Sequence, residues 1–145
     1  MKRLIFVLNV DGDVGSILPD LFRFIFRRST FPCNLCKLTY KDFGSAKSWK
    51  EFIETLACKV TFAHRDDFTA SYPQFSDDKF PAVFTEGETV EKLISATEID
   101  GLTKLEDLIN LVRTKLEKTE IKIHDKEHIV HQPYSIIFPS HLKKA

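Results

Sequence analysis

The chain has 145 residues with 21 Lys and Arg against 21 Asp and Glu, and this formal neutrality excludes a strongly basic or acidic protein acting through bulk charge. Its 43% hydrophobic content, with thirteen Phe but only five Gly and six Pro, excludes collagen-like, low-complexity and disordered classes. The length suits one domain, and the neutrality is a cancellation: eleven basic against six acidic residues through Arg65, six against twelve over 66–118, and four against three thereafter.

Three cysteines are too few for a disulfide-stapled secreted scaffold, so a reducing compartment is expected. The run Leu4 to Leu8 follows Lys2-Arg3 as in a signal peptide, but Asn9, Asp11 and Asp13 interrupt it and no small-residue cleavage site follows. No stretch approaches the roughly 18 apolar residues of a membrane span. The sequence therefore reads as cytoplasmic, without a membrane partner.

In chain order, Leu4-Ile5-Phe6-Val7-Leu8 predicts a central strand covered on both faces, broken at Asp11-Gly12-Asp13. Ser16, Pro19 and the stripe Leu18, Leu21, Phe22, Ile25, Phe26 predict a helix closed by Arg27 and Arg28. Residues 29–44, with Cys33-Asn34-Leu35-Cys36, show no sustained helical period and read as a structured loop with at most a short strand. Ser48-Trp49-Lys50-Glu51 has capping-box form and predicts a helix over about residues 46–57, with Trp49, Phe52, Ile53 and Leu56 on one face. A strand at 59–64 and a short helix or turn at 66–72 come next. Phe80-Pro81-Ala82-Val83-Phe84, Glu86-Gly87-Glu88 and Thr89 to Ile94 make a hairpin. Thr103-Lys104-Leu105-Glu106 repeats the capping pattern ahead of Leu105, Leu108, Ile109, Val112 and Leu116, the clearest helical stripe in the chain. Residues 119–145, with Ile121, Ile123 and four of the five histidines, read as a strand-and-arm extension on the same domain.

This order predicts an α/β fold: a mixed sheet with helices on both faces, its first two long strands parallel through a crossover and its later pair antiparallel. Strand, helix, strand, helix, a proline-initiated hairpin and a last amphipathic helix resemble the thioredoxin fold over about residues 3–118. Pro81 and Cys33-Asn34-Leu35-Cys36 match its motifs. The stretch from Leu4 through Asn9 and Gly12 to that pair also resembles small uncharacterised bacterial proteins. The resemblance implies a thioredoxin-like domain over 1–118 with the extension 119–145. It also implies Cys33 as nucleophile, Cys36 as resolving thiol, and Pro81 as the residue presenting backbone to a thiol substrate. Two thiols three positions apart suit this chemistry, since one attacks a substrate disulfide and the other resolves the mixed intermediate. The pair differs from the family in arriving a whole helix after the first strand. Either a helix is inserted ahead of the active site, or the fold is kept and the cysteines pack or bind metal.

Arg27, Arg28, Lys37 and Lys41 flank the pair and are expected to favour a thiolate. Cys58 and His64 are the residues that would complete a zinc set with the pair, but a second closely spaced ligand pair is lacking, so no metal is assigned. Asp11-Gly12-Asp13-Val14-Gly15-Ser16 lacks the second Gly and the Lys of a phosphate loop and reads as a strand-to-helix turn capping the following helix. His124, His128 and His131 lie in extended-type sequence and read as solvated or structural, and Phe24 marks a surface for a partner or a second copy. The basic excess is spread out and no nucleic-acid-binding signature is present. The expected function is thiol–disulfide exchange with protein or small-molecule thiols or disulfides, without a cofactor. The alternative is a noncatalytic interaction module of the same fold with structural or zinc-binding cysteines.

Overall fold

The computed structural model describes residues 2–11, 33–39, 42–119 and 121–123. The helix expected over 16–28, the partner surface at Phe24 and the histidine-bearing arm from 124 onward lie outside the described residues.

Four strands form one mixed sheet in the order β2-β1-β3-β4, with β1 Arg3–Leu8, β2 Lys59–His64, β3 Ala82–Glu86 and β4 Val90–Ile94. β1 runs parallel to β2, with Leu4 opposite Val60 and Leu8 opposite His64. It runs antiparallel to β3, with Val7 opposite Ala82, and β3 turns back into β4. Five α-helices are described: α1 Asn34–Thr39, α2 Phe43–Glu54, α3 Arg65–Ser71, α4 Ala96–Asp100 and α5 Leu105–Leu116.

The unbroken apolar run of β1 serves two cores because successive side chains of a strand point to opposite faces. Leu4, Phe6 and Leu8 pack with α1, α2 and α5, whereas Ile5 and Val7 pack with Phe68 of α3, Phe80 and Phe84. The first core centres on Trp49, 1% exposed and 5.3 Å edge-on to Phe6, which stacks at 5.0 Å on Phe62. In the second, Phe68 and Phe84 approach to 4.5 Å and Phe75 lies 4.8 Å from Phe84. The helices on both faces, the parallel first pair and the antiparallel later pair agree with the reading from sequence. Ile121 joins the first core, and the Ala57 N–H donates to the Lys122 carbonyl at 2.8 Å, tying the start of the extension beside the end of α2.

Three local expectations are corrected. The segment read as a loop carries α1, whose six residues bury Leu35, Cys36, Leu38 and Thr39. Fewer than two turns leave no period to read, and tertiary burial stabilises a helix that would be marginal alone. α2 starts earlier than Ser48, because the Asp42 carboxylate caps it by accepting the Ser45 N–H at 2.7 Å. The capping box before the last helix is also displaced: α5 begins after Lys104, which makes no side-chain cap. The reciprocal box is instead Ser95 with Glu98, at the start of the short α4 that the sequence reading passed over. Among the described residues no helix is long and apolar enough to cross a membrane.

Candidate active site

The site grows from the C-terminal end of β1. Beyond Leu8 the chain bends at Asn9, and the Asn9 N–H points at the Cys33 sulfur, 3.4 Å away. Cys33 sits immediately before α1 and acts as its cap twice over. Its carbonyl accepts the Lys37 N–H at 3.0 Å and its Sγ accepts the Cys36 N–H at 3.3 Å, the bond a Ser or Asp side chain makes at other helix starts. The Cys36 thiol also donates to the Cys33 sulfur. Cys33 is 0% exposed and Cys36 1%, and both are free thiols.

These contacts separate two side chains of identical chemistry. Burial raises the cost of ionising Cys33, but bonds from the Cys36 S–H, the Asn9 N–H and the Cys36 N–H outweigh it and hold the thiol below its ordinary value. The Asp100 carboxylate works the other way. Burial pushes Cys36 well up, and donating its proton to Cys33 pushes it further. Lys37, the described member of the basic group expected to support a thiolate, is not among the causes of the shift. Three donors aimed at one sulfur take that role, and Arg27, Arg28 and Lys41 lie outside the described residues.

The intervening Asn34-Leu35 has a structural explanation. Asn34 Nδ2 donates to the Ile99 carbonyl at 2.7 Å and to the Leu102 carbonyl at 3.1 Å, closing the C-terminal end of α4, and Leu35 is fully buried in the core. The dipeptide anchors the start of α1 to α4, which carries Asp100.

Pro81 is buried and precedes Ala82, the partner of Val7 across β1 and β3; the Phe80–Pro81 peptide is cis. Because β3 is antiparallel to β1, its start lies at the same end of the sheet as Asn9. Pro81 and the cysteine pair thus converge on one end of β1. Cys58 does not join them. It precedes β2 at the opposite end, takes a backbone hydrogen bond from Leu4, and is pushed by burial up to about 11. The length of β1, on the order of 17 Å for a six-residue strand, separates it from Cys33. His64 Nδ1 lies 3.2 Å from Asp67 Oδ2 in a buried pair at the β2–α3 junction. The zinc set drawn from Cys33, Cys36, Cys58 and His64 is therefore not assembled. Among the described residues no three His, Cys, Asp or Glu side chains converge as a metal site.

Sequence reasoning missed Asn9 and Arg65. Arg65 Nη1 donates to Asn9 Oδ1 at 3.0 Å, and its Nε and Nη2 both reach Asp11 Oδ1, at 3.1 and 3.0 Å. Asp11, the first residue of the segment read as a strand-to-helix turn, binds this guanidinium; the rest of that segment lies outside the described residues. The contacts span more than fifty residues of sequence, so no local pattern signals them. A separate depression of about 220 Å³ lies between α1, α2 and the start of α5, lined by Leu38, Asp42, Ser45 and Thr103 to Glu106, and includes none of these groups.

Compared with protein-family models, curated proteins and solved structures, the chain matches none.

Proposed function

We propose that this chain is a thiol–disulfide oxidoreductase of thioredoxin-like architecture, with Cys33 as nucleophile, Cys36 as resolving thiol and Pro81 beside them. One observation carries the reading: the Cys33 sulfur accepts hydrogen bonds from Asn9, from the Cys36 backbone and from the Cys36 thiol, so the pair is electronically divided into a thiolate-forming member and a proton-holding member. The sheet order, the parallel β1–β2 pair and Pro81 at the start of β3 support the architecture.

In the proposed cycle the Cys33 thiolate attacks one sulfur of a substrate disulfide. The substrate S–S bond breaks, a Cys33–substrate disulfide forms, and the other substrate sulfur leaves as a thiolate that takes a proton. Attack turns Cys33 from a charged acceptor into a neutral disulfide sulfur, so Cys36 loses the partner for its S–H. It gives up that proton, attacks Cys33 Sγ and expels the second substrate thiol. The substrate gains two electrons and two protons, and the chain is left with a Cys33–Cys36 disulfide. A thiol or dithiol of the same chemical class returns it to the reduced form by the reverse exchange.

Burial of both sulfurs favours one other reading, a noncatalytic module of this fold whose cysteines only pack. Treating the reduced full chain with glutathione disulfide separates the two. The oxidoreductase reading expects loss of two protons and two electrons mapped by mass spectrometry to Cys33–Cys36, reversal by dithiothreitol, and catalysed reduction of a protein disulfide that Cys33→Ser removes. A pair that stays reduced, or turnover equal in wild type and Cys33→Ser, rejects it in favour of the packing module.

A further inference from the structure

The loop that presents Asn9 to Cys33 is held from the far side of the sheet end by one residue. Arg65 is the first residue of α3, directly after β2, and its backbone and side chain both grip the segment following β1. Its N–H donates to the Val10 carbonyl at 3.0 Å, Nη1 to Asn9 Oδ1 at 3.0 Å, and Nε and Nη2 to Asp11 Oδ1. Three consecutive residues are thereby fixed by one planar guanidinium and its own amide. The fixed segment includes the N–H that faces the Cys33 sulfur.

We propose that Arg65 is a positioning residue for Cys33, acting through Asn9: its fork holds the 9–11 segment so that the Asn9 N–H stays aimed at the sulfur. The proposal rests on the reading of Cys33 as the reactive thiol. A loop released from Arg65 trades a directed bond for an averaged one, and a hydrogen bond weakens steeply as it bends. A lysine at the same place keeps the charge but offers a point donor, which cannot bridge Asn9 and Asp11 as the fork does. The guanidinium is not itself a donor to Cys33. Its effect differs from a through-space charge effect in being carried by geometry. Among the described residues, the other groups acting on that sulfur, the Cys36 thiol and N–H from α1 and the Asp100 carboxylate from α4, are untouched by changing Arg65.

The test is ultraviolet thiolate absorbance of the full chain as a function of pH, with each protein compared against its own Cys33→Ser counterpart so that only Cys33 is read. Folding is checked by circular dichroism. Wild type is expected to ionise below the ordinary thiol value. Arg65→Ala and Arg65→Lys should both move the midpoint up by about half to one pH unit, roughly three- to tenfold in thiolate fraction on the acid side. Asn9→Ala, which keeps the backbone N–H but removes the anchor, should give a similar shift. The double variant should shift no further, as two residues in one relay are non-additive. If Arg65→Ala fails to fold, Asn9→Ala and Arg65→Lys read the same relay. A wild-type midpoint that is low but unmoved by these changes overturns the positioning role and leaves the exchange reading standing. Full restoration by Lys overturns it too, because charge would then suffice. A wild-type midpoint at the ordinary value overturns both.

Discussion

The two ends of β1 each hold a buried cysteine, and they treat it in opposite ways. At the C-terminal end Cys33 lies among three donors and is held below its ordinary value, although it is completely buried. At the N-terminal end Cys58 has burial and one backbone bond from Leu4, and rises to about 11. Burial alone makes a thiol inert, and convergent N–H and S–H donors reverse that. The difference follows from where chain segments end. Beyond the C-terminal end of β1, a bending strand and the start of α1 both leave backbone N–H groups without a regular partner, and Cys33 collects one from each. Cys58 lies between the end of α2 and the start of β2, and a helix C-terminus leaves carbonyls rather than N–H groups without partners, so the donor it has is the Leu4 N–H.

The sharpest break of this comparison is removal of either sulfur. Cys33→Ser is expected to lower the rate of disulfide exchange on the order of a thousandfold or more, whereas Cys58→Ser should leave it nearly unchanged in a dithiothreitol-coupled assay. Equal losses would put the chemistry at the wrong end of the strand.

Next in size is the Cys36 thiol proton. Cys36→Ala removes one donor from Cys33 and should raise the Cys33 midpoint by about one pH unit, read by thiolate absorbance. An unmoved midpoint would assign the shift to Asn9 and the Cys36 backbone alone.

Cys58 sharpens the comparison from the other side through stability. The unfolded chain ionises it near the ordinary 9.0 and the folded chain near about 11, so the unfolded state loses its proton first. Stability is therefore fully present below 9.0 and falls as pH climbs toward about 11, by roughly 2–3 kcal/mol. Cys58→Ala should flatten that part of the denaturation profile. Cys33 has the opposite sign, since its folded form ionises first, and it adds stability as pH rises from its lowered value toward 9.0. Urea melts across this range should show the two variants bending the profile in opposite directions.

The smallest effect is expected from Asn34→Ala, which leaves the Ile99 and Leu102 carbonyls without their side-chain donor. A loss of about 1 kcal/mol in urea melts, without loss of exchange, would mark Asn34 as an anchor of α1 to α4 and not a participant.

Much of the fold was legible because it is written in local pattern. β1, β2, the hairpin and α5 each carry enough residues for their period or their unbroken apolar character to show. α1 and α4, at six and five residues, do not, and both depend on long-range support: Leu35 in the core and Asn34 on α4, or Glu98 paired with Lys115 of α5 at 2.7 Å. The capping boxes at Ser48 and Thr103 had the right letters in the wrong places, because Asp42 and Lys104 begin those helices in the folded chain. Of the candidate site, Cys33, Cys36 and Pro81 stood out by spacing and by the resemblance they carry. Asn9 and Arg65 did not, since a backbone N–H leaves no mark in a sequence and an arginine more than fifty residues from its partners looks like any surface cation.

By itself, then, the sequence determined a mixed α/β sheet with two cores on either side of one apolar strand, and it marked the cysteine pair as the chemistry worth following. The tertiary structure alone decided which thiol is held below its ordinary value and which donors hold it there. The basic residues that cluster with the pair in sequence suggested charge, but among the described residues the groups that lower the Cys33 value are hydrogen-bond donors to its sulfur. Those atoms were brought together by the end of β1, the start of α1 and the guanidinium at the start of α3 that holds the segment following β1.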